Sequence, residues 1–267
     1  MKLTMLGTGN AVVTECYNTC FIIDDNGQLL LVDGGGGNTI LRQLKHAEYN
    51  WMDIHHIFVT HKHTDHILGI IWIVRMICRF MNQGKYQGEA YIYSHSEVLD
   101  IIRNIANMLL PQKETRFIDD KLHLVEIHDG ETLNIIGHDT TFFDIQSTKA
   151  KQFGFSMDLG NGKTLACCGD EPYAEHEEKY VKDSDWLLHE AFCLYSQRDT
   201  FKPYEKHHST VKDACELAEK LNIKNLLLYH TEDKSFPDRK KLYYEEGSTY
   251  YHGKLIVPDD LESIELV

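Results

Sequence analysis

At 267 residues, with 42% apolar and 25% charged positions, the chain is long enough for one large two-layered core and has a globular composition, not a disordered or fibrous one. Its 41 Asp and Glu outnumber 27 Lys and Arg, and the formal charge of -14 repels polyphosphate at long range, which disfavours nucleic acid as a general partner. Seven scattered cysteines, mostly within apolar runs, fit a reduced cytoplasmic chain without a signal peptide, and the stretch Ile67–Met81 is broken by Arg75 and Arg79 and too short to cross a bilayer.

Short β-rich runs open the chain at Lys2–Leu6, Thr19–Ile23 and Gln28–Val32, the last two joined by the turn pair Asn26-Gly27. Asp33 and four glycines follow. The spacing of Ile40, Leu41 and Leu44 predicts a helix over Asn38–His46, and His56–Thr60 reads as a further strand. A histidine-rich loop comes next, then helices over Gly69–Met81 and Glu97–Leu110 around a strand at Ala90–Tyr93. Ser94 and Glu97 form a capping box for the second helix, and Pro111 marks its end. Later strands are predicted at Leu122–Ile127, Thr140–Ile145, Phe153–Asp158, Lys163–Cys168, Trp186–His189 and Asn225–Tyr229, with an amphipathic helix over Thr210–Leu221. Leu255–Val257 and Ile264–Val267 close the chain. Two β-rich halves, each with a helical section, predict two sheets packed face to face under outer helices. With five prolines and no low-complexity tract, residues 1–267 read as a single domain.

The densest chemical signal is Thr60-His61-Lys62-His63-Thr64-Asp65-His66, three imidazoles and a carboxylate directly after an apolar strand. Imidazole and carboxylate suit zinc, iron or manganese, and a loop can turn alternating residues toward adjacent ions. Asp33 is expected to orient this segment by hydrogen bonds from behind, while the glycines after it let backbone pass closely. They lack the Gly-Lys-Ser/Thr ending of a nucleotide loop. Asp170 and His230 stand at strand ends, where a further ligand would come from. Glu190 could hold an imidazole as a proton-transfer unit, with His208 or its neighbour His207 as the partner.

Taken together, these segments resemble the metallo-β-lactamase-fold hydrolases, and within them the branch of ribonuclease Z and related phosphodiesterases. The resemblance runs from Met1–Gly9 to Ile256–Asp260, and its most specific element is His-x-His-x-Asp-His at His61, His63, Asp65 and His66. It implies an α+β fold, the αββα sandwich of two mixed sheets with helices outside. It further implies that His61 and His63 serve one metal, that Asp65, His66 and His230 serve another, and that Asp170 bridges both. Leu188–Phe192 and His208–Thr210 are similar to two further family segments, which implies that Glu190 holds His208 for protonation of the leaving alkoxide and selects it over His207. One position departs. Members of the family carry a histidine shortly before the Phe-Gly-Phe segment, here Phe153-Gly154-Phe155, and this chain has none; Gln146 is its expected occupant, with Ser147 or Thr148 as other registers.

The resemblance therefore implies a metal-dependent hydrolase acting on a phosphodiester or small ester through metal-activated water. A lactonase or thioesterase using the same site is the enzymatic alternative, and a non-catalytic metal- or ligand-binding protein with a degenerate first site is the alternative from another class. One or two divalent ions are implied, zinc foremost, with manganese or iron open. The gripping arm of the tRNA-processing enzymes is absent from the short stretch between Gln146 and Asp170, which with the acidic charge argues against tRNA. No membrane partner is expected, and a homodimer is left open.

Overall fold

The computed structural model describes residues 1–267. Fourteen strands form: β1 (Lys2–Gly7), β2 (Cys20–Asp25), β3 (Gln28–Val32), β4 (Ile54–Phe58), β5 (Ala90–Ser94), β6 (Leu122–Glu126), β7 (Thr132–Ile135), β8 (His138–Asp144), β9 (Phe153–Gly160), β10 (Lys163–Cys167), β11 (Trp186–Glu190), β12 (Asn225–Tyr229), β13 (Lys254–Ile256) and β14 (Ser263–Glu265). They make two seven-stranded sheets, ordered β14-β1-β2-β3-β4-β5-β6 and β13-β12-β11-β10-β9-β8-β7. Each sheet is mixed in the same way. In the first, β14 to β3 pair antiparallel and β3 to β6 parallel. In the second, β7 to β10 pair antiparallel and β10 to β13 parallel.

Period-two side-chain alternation explains the layering. Leu3, Met5, Phe21, Ile23, Leu30 and Val32 point into the space between the sheets, where they meet Phe155, Met157, Leu165, Leu188 and Leu227 from the other side. Their sequence neighbours Leu6, Cys20, Ile22, Leu29 and Leu31 face outward under the helices Thr39–His46, Thr64–Asn82 and Ser96–Leu109. On the second sheet Ala166, Leu187, Leu226 and Leu228 pack under the helix Val211–Lys220 and Tyr243. Both faces of each sheet are thus apolar, which is why most inner strands read as continuous apolar runs. Phe58 joins the sheets at the centre, its ring 5.0 Å from Phe142 and 5.7 Å from Phe155. The outcome is the expected αββα sandwich. No helix is long and apolar enough to cross a membrane, and all seven cysteines are free.

Three local expectations are corrected. The helix expected from Gly69 begins at Thr64, so Asp65 and His66 lie in its first turn and not in a loop; the amides of His66 and Ile67 both donate to the His63 carbonyl. The capping box at Ser94 does not form: His95 is the N-cap, and the Ser94 hydroxyl, at the end of β5, donates to the Val59 carbonyl across the sheet. The strand expected from Thr140 begins at His138, which opens β8 after a turn at Ile136-Gly137. The helix Arg239–Gly247 has no apolar stripe and was not foreseen.

Candidate metal centre

The parallel parts of the two sheets deliver the site. Asp33 directly follows β3, His61 comes three residues after β4, Asp170 three after β10, Glu190 ends β11, and His230 directly follows β12. Strand ends suit this purpose because the backbone is anchored by the ladder on one side and free to turn on the other. Asp33 and His230 both hold positive φ, +57° and +56°, a left-handed conformation that costs a non-glycine residue roughly 1–2 kcal/mol. Gly169 supplies the same kind of turn beside Asp170, where a Cβ would sit 2.3 Å from the Gln152 side chain. Behind the cluster the backbone at Gly34 crosses the helix at Gly69, and a Cβ on Gly69 would fall 1.7 Å from the Gly34 carbonyl oxygen.

Five donors converge in the buried interior: His61, Asp65, His66, Asp170 and His230, none more than 5% exposed. His61 Nε2 and His66 Nε2 lie 3.7 and 3.6 Å from Asp170 Oδ2, and His230 Nε2 is 3.4 Å from both Asp170 Oδ2 and Asp65 Oδ2. These separations are longer than charge-assisted hydrogen bonds and close to the edge between two donors sharing one tetrahedral ion, about 3.3 Å for bonds of about 2.05 Å. His66 Nε2 and Asp170 Oδ1 are buried without any hydrogen-bond partner. Three triads are close enough to share an ion, His61–His66–Asp170, Asp65–His66–His230 and, beside them, Glu190–His208–His230. The residues fit divalent metal.

Asp33 sets the tautomers. His66 Nδ1 donates to Asp33 Oδ2 over 2.7 Å, which leaves the Nε2 lone pair facing the cluster. The Thr60 hydroxyl donates to the same carboxylate and accepts from His61 Nδ1, 2.9 Å away, so His61 also turns its Nε2 inward. Burial pushes the His61 imidazole well below its usual range. Burial opposes charge on Asp65 and Asp170 too, yet the imidazoles around them hold both carboxyls well below the carboxylate range. Against burial, Asp65 and Asp33 hold His66 well above the usual imidazole range. The Asp33, Asp65 and Asp170 carboxylates within 4 Å of these imidazoles give the pocket the negative potential that a divalent cation requires.

His63 sits on the rim, half-buried, with Nδ1 2.8 Å from His61 Nε2. His208 and Glu190 meet as expected: Nδ1 donates to Glu190 Oε2 over 3.1 Å, the Phe192 ring stacks on the imidazole at 4.8 Å, and the His230 ring lies 5.3 Å away. Burial pushes His208 down to about 4 and Glu190 well above the carboxylate range. His207 lies outside this pairing, in a left-handed turn between the helical turn at Tyr204–Lys206 and His208.

Gln146 is not brought into the cluster. It is exposed, its backbone is left-handed at φ +56°, and its backbone N–H donates to Asp144 Oδ1. Ser147 from the same loop donates to Glu171, Thr148 is exposed, and Lys149 alone of this loop lines the cleft. Sequence reasoning missed Lys149, and also Asn10, Val12 and Lys206, which wall a cavity of about 630 Å³ over the metal ligands. Nothing in periodicity marks them; they sit on loops whose course only the tertiary fold sets.

The family model described as anti-Pycsar protein Apyc1 matches residues 1–246. Ribonuclease Z from Methanocaldococcus jannaschii is 29% identical, with all of this chain and 97% of that protein covered; the 321 aligned positions exceed this chain's length, so the relative carries insertions. Among solved structures, the metallo-β-lactamase-fold protein YhfI from Bacillus subtilis superposes with a TM-score of 0.79 at 17% identity, covering 98% of both chains. Zn(2+)-bound PqqB from Methylobacterium extorquens superposes with a TM-score of 0.74 at 15% identity over 100% of both.

Proposed function

The chain belongs to the Apyc1 anti-Pycsar family, and on that premise we propose that it is a metal-dependent hydrolase of a small phosphodiester, with His208 as proton donor to the leaving group. The observation that carries this reading is the opening of both the His/Asp cluster and the His208–Glu190 pair into one cleft. Asp65, His66 and His230 would hold one ion, His61 and His63 a second, and Asp170 would stand between them. Zinc suits this mixed imidazole and carboxylate set, and the PqqB relative is zinc-bound; iron and manganese accept the same donors. A bound ion supplies Lewis acidity at a phosphoryl or ester oxygen and a water acidic enough to attack at neutral pH.

The chain's own residues do the rest. Glu190 is fully buried and accepts hydrogen bonds from His208 Nδ1 and the Ser209 backbone N–H, which fixes the imidazole and aims Nε2 into the cleft. Phe192 holds the ring in plane. From there Nε2, with its lone pair facing the cleft, can take the proton that the attacking water gives up and pass it to a departing alkoxide, a step that general acids accelerate by about 100- to 10,000-fold. An alkoxide leaving group needs that proton more than a thiolate does, which supports a phosphodiester over a thioester. The insertions in the ribonuclease Z relative, absent here, support a small substrate over tRNA. Metal-loaded protein assayed on an aryl phosphodiester, a lactone panel and a thioester panel tests the reading: diester turnover is expected to dominate, and turnover confined to lactones or thioesters overturns it.

A further inference from the structure

The cleft of this strongly acidic protein is rimmed by ammonium groups. Lys62, Lys149 and Lys206 all line it, and the carboxylates that line it with them, Asp65 and Asp170, belong to the metal cluster. Lys62 is already neutralised, its Nζ 2.5 Å from Glu97 on the next helix. The other two are less tightly paired. Lys206 forms no ion pair, and its Nζ lies 5.0 Å from the centre of the Phe192 ring, the ring that stacks on His208. Lys149 has one carboxylate near it, Glu171 at 3.6 Å, and that oxygen already accepts from Ser147. Its Nζ donates instead to the Lys206 carbonyl at 3.1 Å, which ties the loop Ile145–Lys151 to the loop carrying His208.

Ammonium groups beside a divalent-metal cluster repel the ion they face, and an anion held between them offsets that repulsion. A chain of net charge -14 also repels anions at long range, so a local cationic pair is what lets one enter. Lysine is a point charge with three donors, suited to a phosphoryl oxygen without fixing its orientation. We propose that Lys149 and Lys206, on two loops tied together at the rim of the cleft, form an anion subsite that holds a phosphoryl oxygen of the substrate. They are specificity residues that separate anionic from neutral esters. This deepens the phosphodiester reading above and rests on it for the identity of the anion.

The test uses inorganic phosphate as probe on the metal-loaded protein, with calorimetry and metal analysis on the wild type, Lys149→Met, Lys206→Met, the double variant and Lys149→Arg. Each single Met variant is expected to weaken phosphate binding about 3- to 10-fold and the double variant more, with metal content unchanged and Lys149→Arg near wild type. On an aryl phosphodiester the same variants are expected to raise KM and leave kcat within about threefold, the mark of lost uniform binding. Unchanged phosphate affinity in the double variant, or a loss of metal that accounts for the weakening, overturns the subsite. If the wild type hydrolyses no phosphodiester yet binds phosphate through these lysines, the subsite stands and the functional reading falls.

Discussion

The two sides of the metal cluster come from one short segment, Thr60 to His66, yet they are supported very differently. On one side Asp65 and His66 occupy the first turn of a 19-residue helix, His66 is backed directly by Asp33, and His230 approaches from the opposite sheet. On the other side His61 reaches Asp33 only through the Thr60 hydroxyl, and His63 lies half-buried at the rim against His61. The first side gathers three buried donors, Asp65, His66 and His230; the second has the buried His61 and the half-buried His63. Ligand identity read from a motif therefore understates the difference, because affinity depends on the hydrogen bonds and elements that hold each ligand in place.

The sharpest way to break the comparison is to remove what the two sides share. Asp170→Asn is expected to abolish stoichiometric metal binding on both sides and turnover with it; metal analysis that still finds one tightly held ion would mean the sides are independent. Next in size is His208→Gln, which leaves every proposed ligand intact. Metal content is expected to stay at the wild-type value while kcat on an aryl phosphodiester falls about 100-fold or more.

Much of this site was legible in the sequence. His61, His63, Asp65 and His66 announce themselves by density after an apolar strand, and Asp170, Glu190 and His230 by their place at strand ends. Asp33 reads from the sequence as a group that orients the histidine segment by hydrogen bonds, and in the structure it accepts from His66 Nδ1 and the Thr60 hydroxyl. What the sequence did not carry was loop course. Gln146 stands where a resemblance puts a histidine, but a left-handed backbone at that residue leaves it exposed, and Lys149 is the member of that loop that reaches the cleft. The early start of the helix at Thr64 was hidden for a related reason: His63 through His66 are polar, and apolar periodicity sees a helix only from its buried face. Arg239–Gly247 was missed because no apolar stripe marks it; its place is taken by the fully buried Arg239, which donates to Thr8, Thr231 and the Pro258 carbonyl, and by Tyr243.

A smaller effect contrasts two buried carboxyls on the same stretch of chain. Asp170 is surrounded by imidazoles and is held well below the carboxylate range, whereas Glu177, seven residues later, has no cationic neighbour and burial pushes it up to about 8. Its folded value lies above its ordinary 4.5, so the native state keeps a proton that the unfolded chain releases. That contribution to stability is complete below about pH 4.5 and is lost as pH rises through about 8. Wild-type Tm is therefore expected to decline from pH 5 to pH 9, and Glu177→Gln to flatten the decline; parallel curves would remove Glu177 as the cause. The smallest expected effect is that of Gln146→His, which should leave metal affinity within about twofold because the residue stands outside the cluster. A large gain would bring position 146 back into the weaker side.

The claim that the two sides are unequal is tested most directly by anomalous scattering from crystals of metal-free protein soaked with less than one equivalent of zinc. The signal is expected between Asp65, His66, His230 and Asp170, with a second peak near His61 and His63 emerging only at excess metal. Equal peaks at low metal, or a first peak on the His61 side, would contradict it.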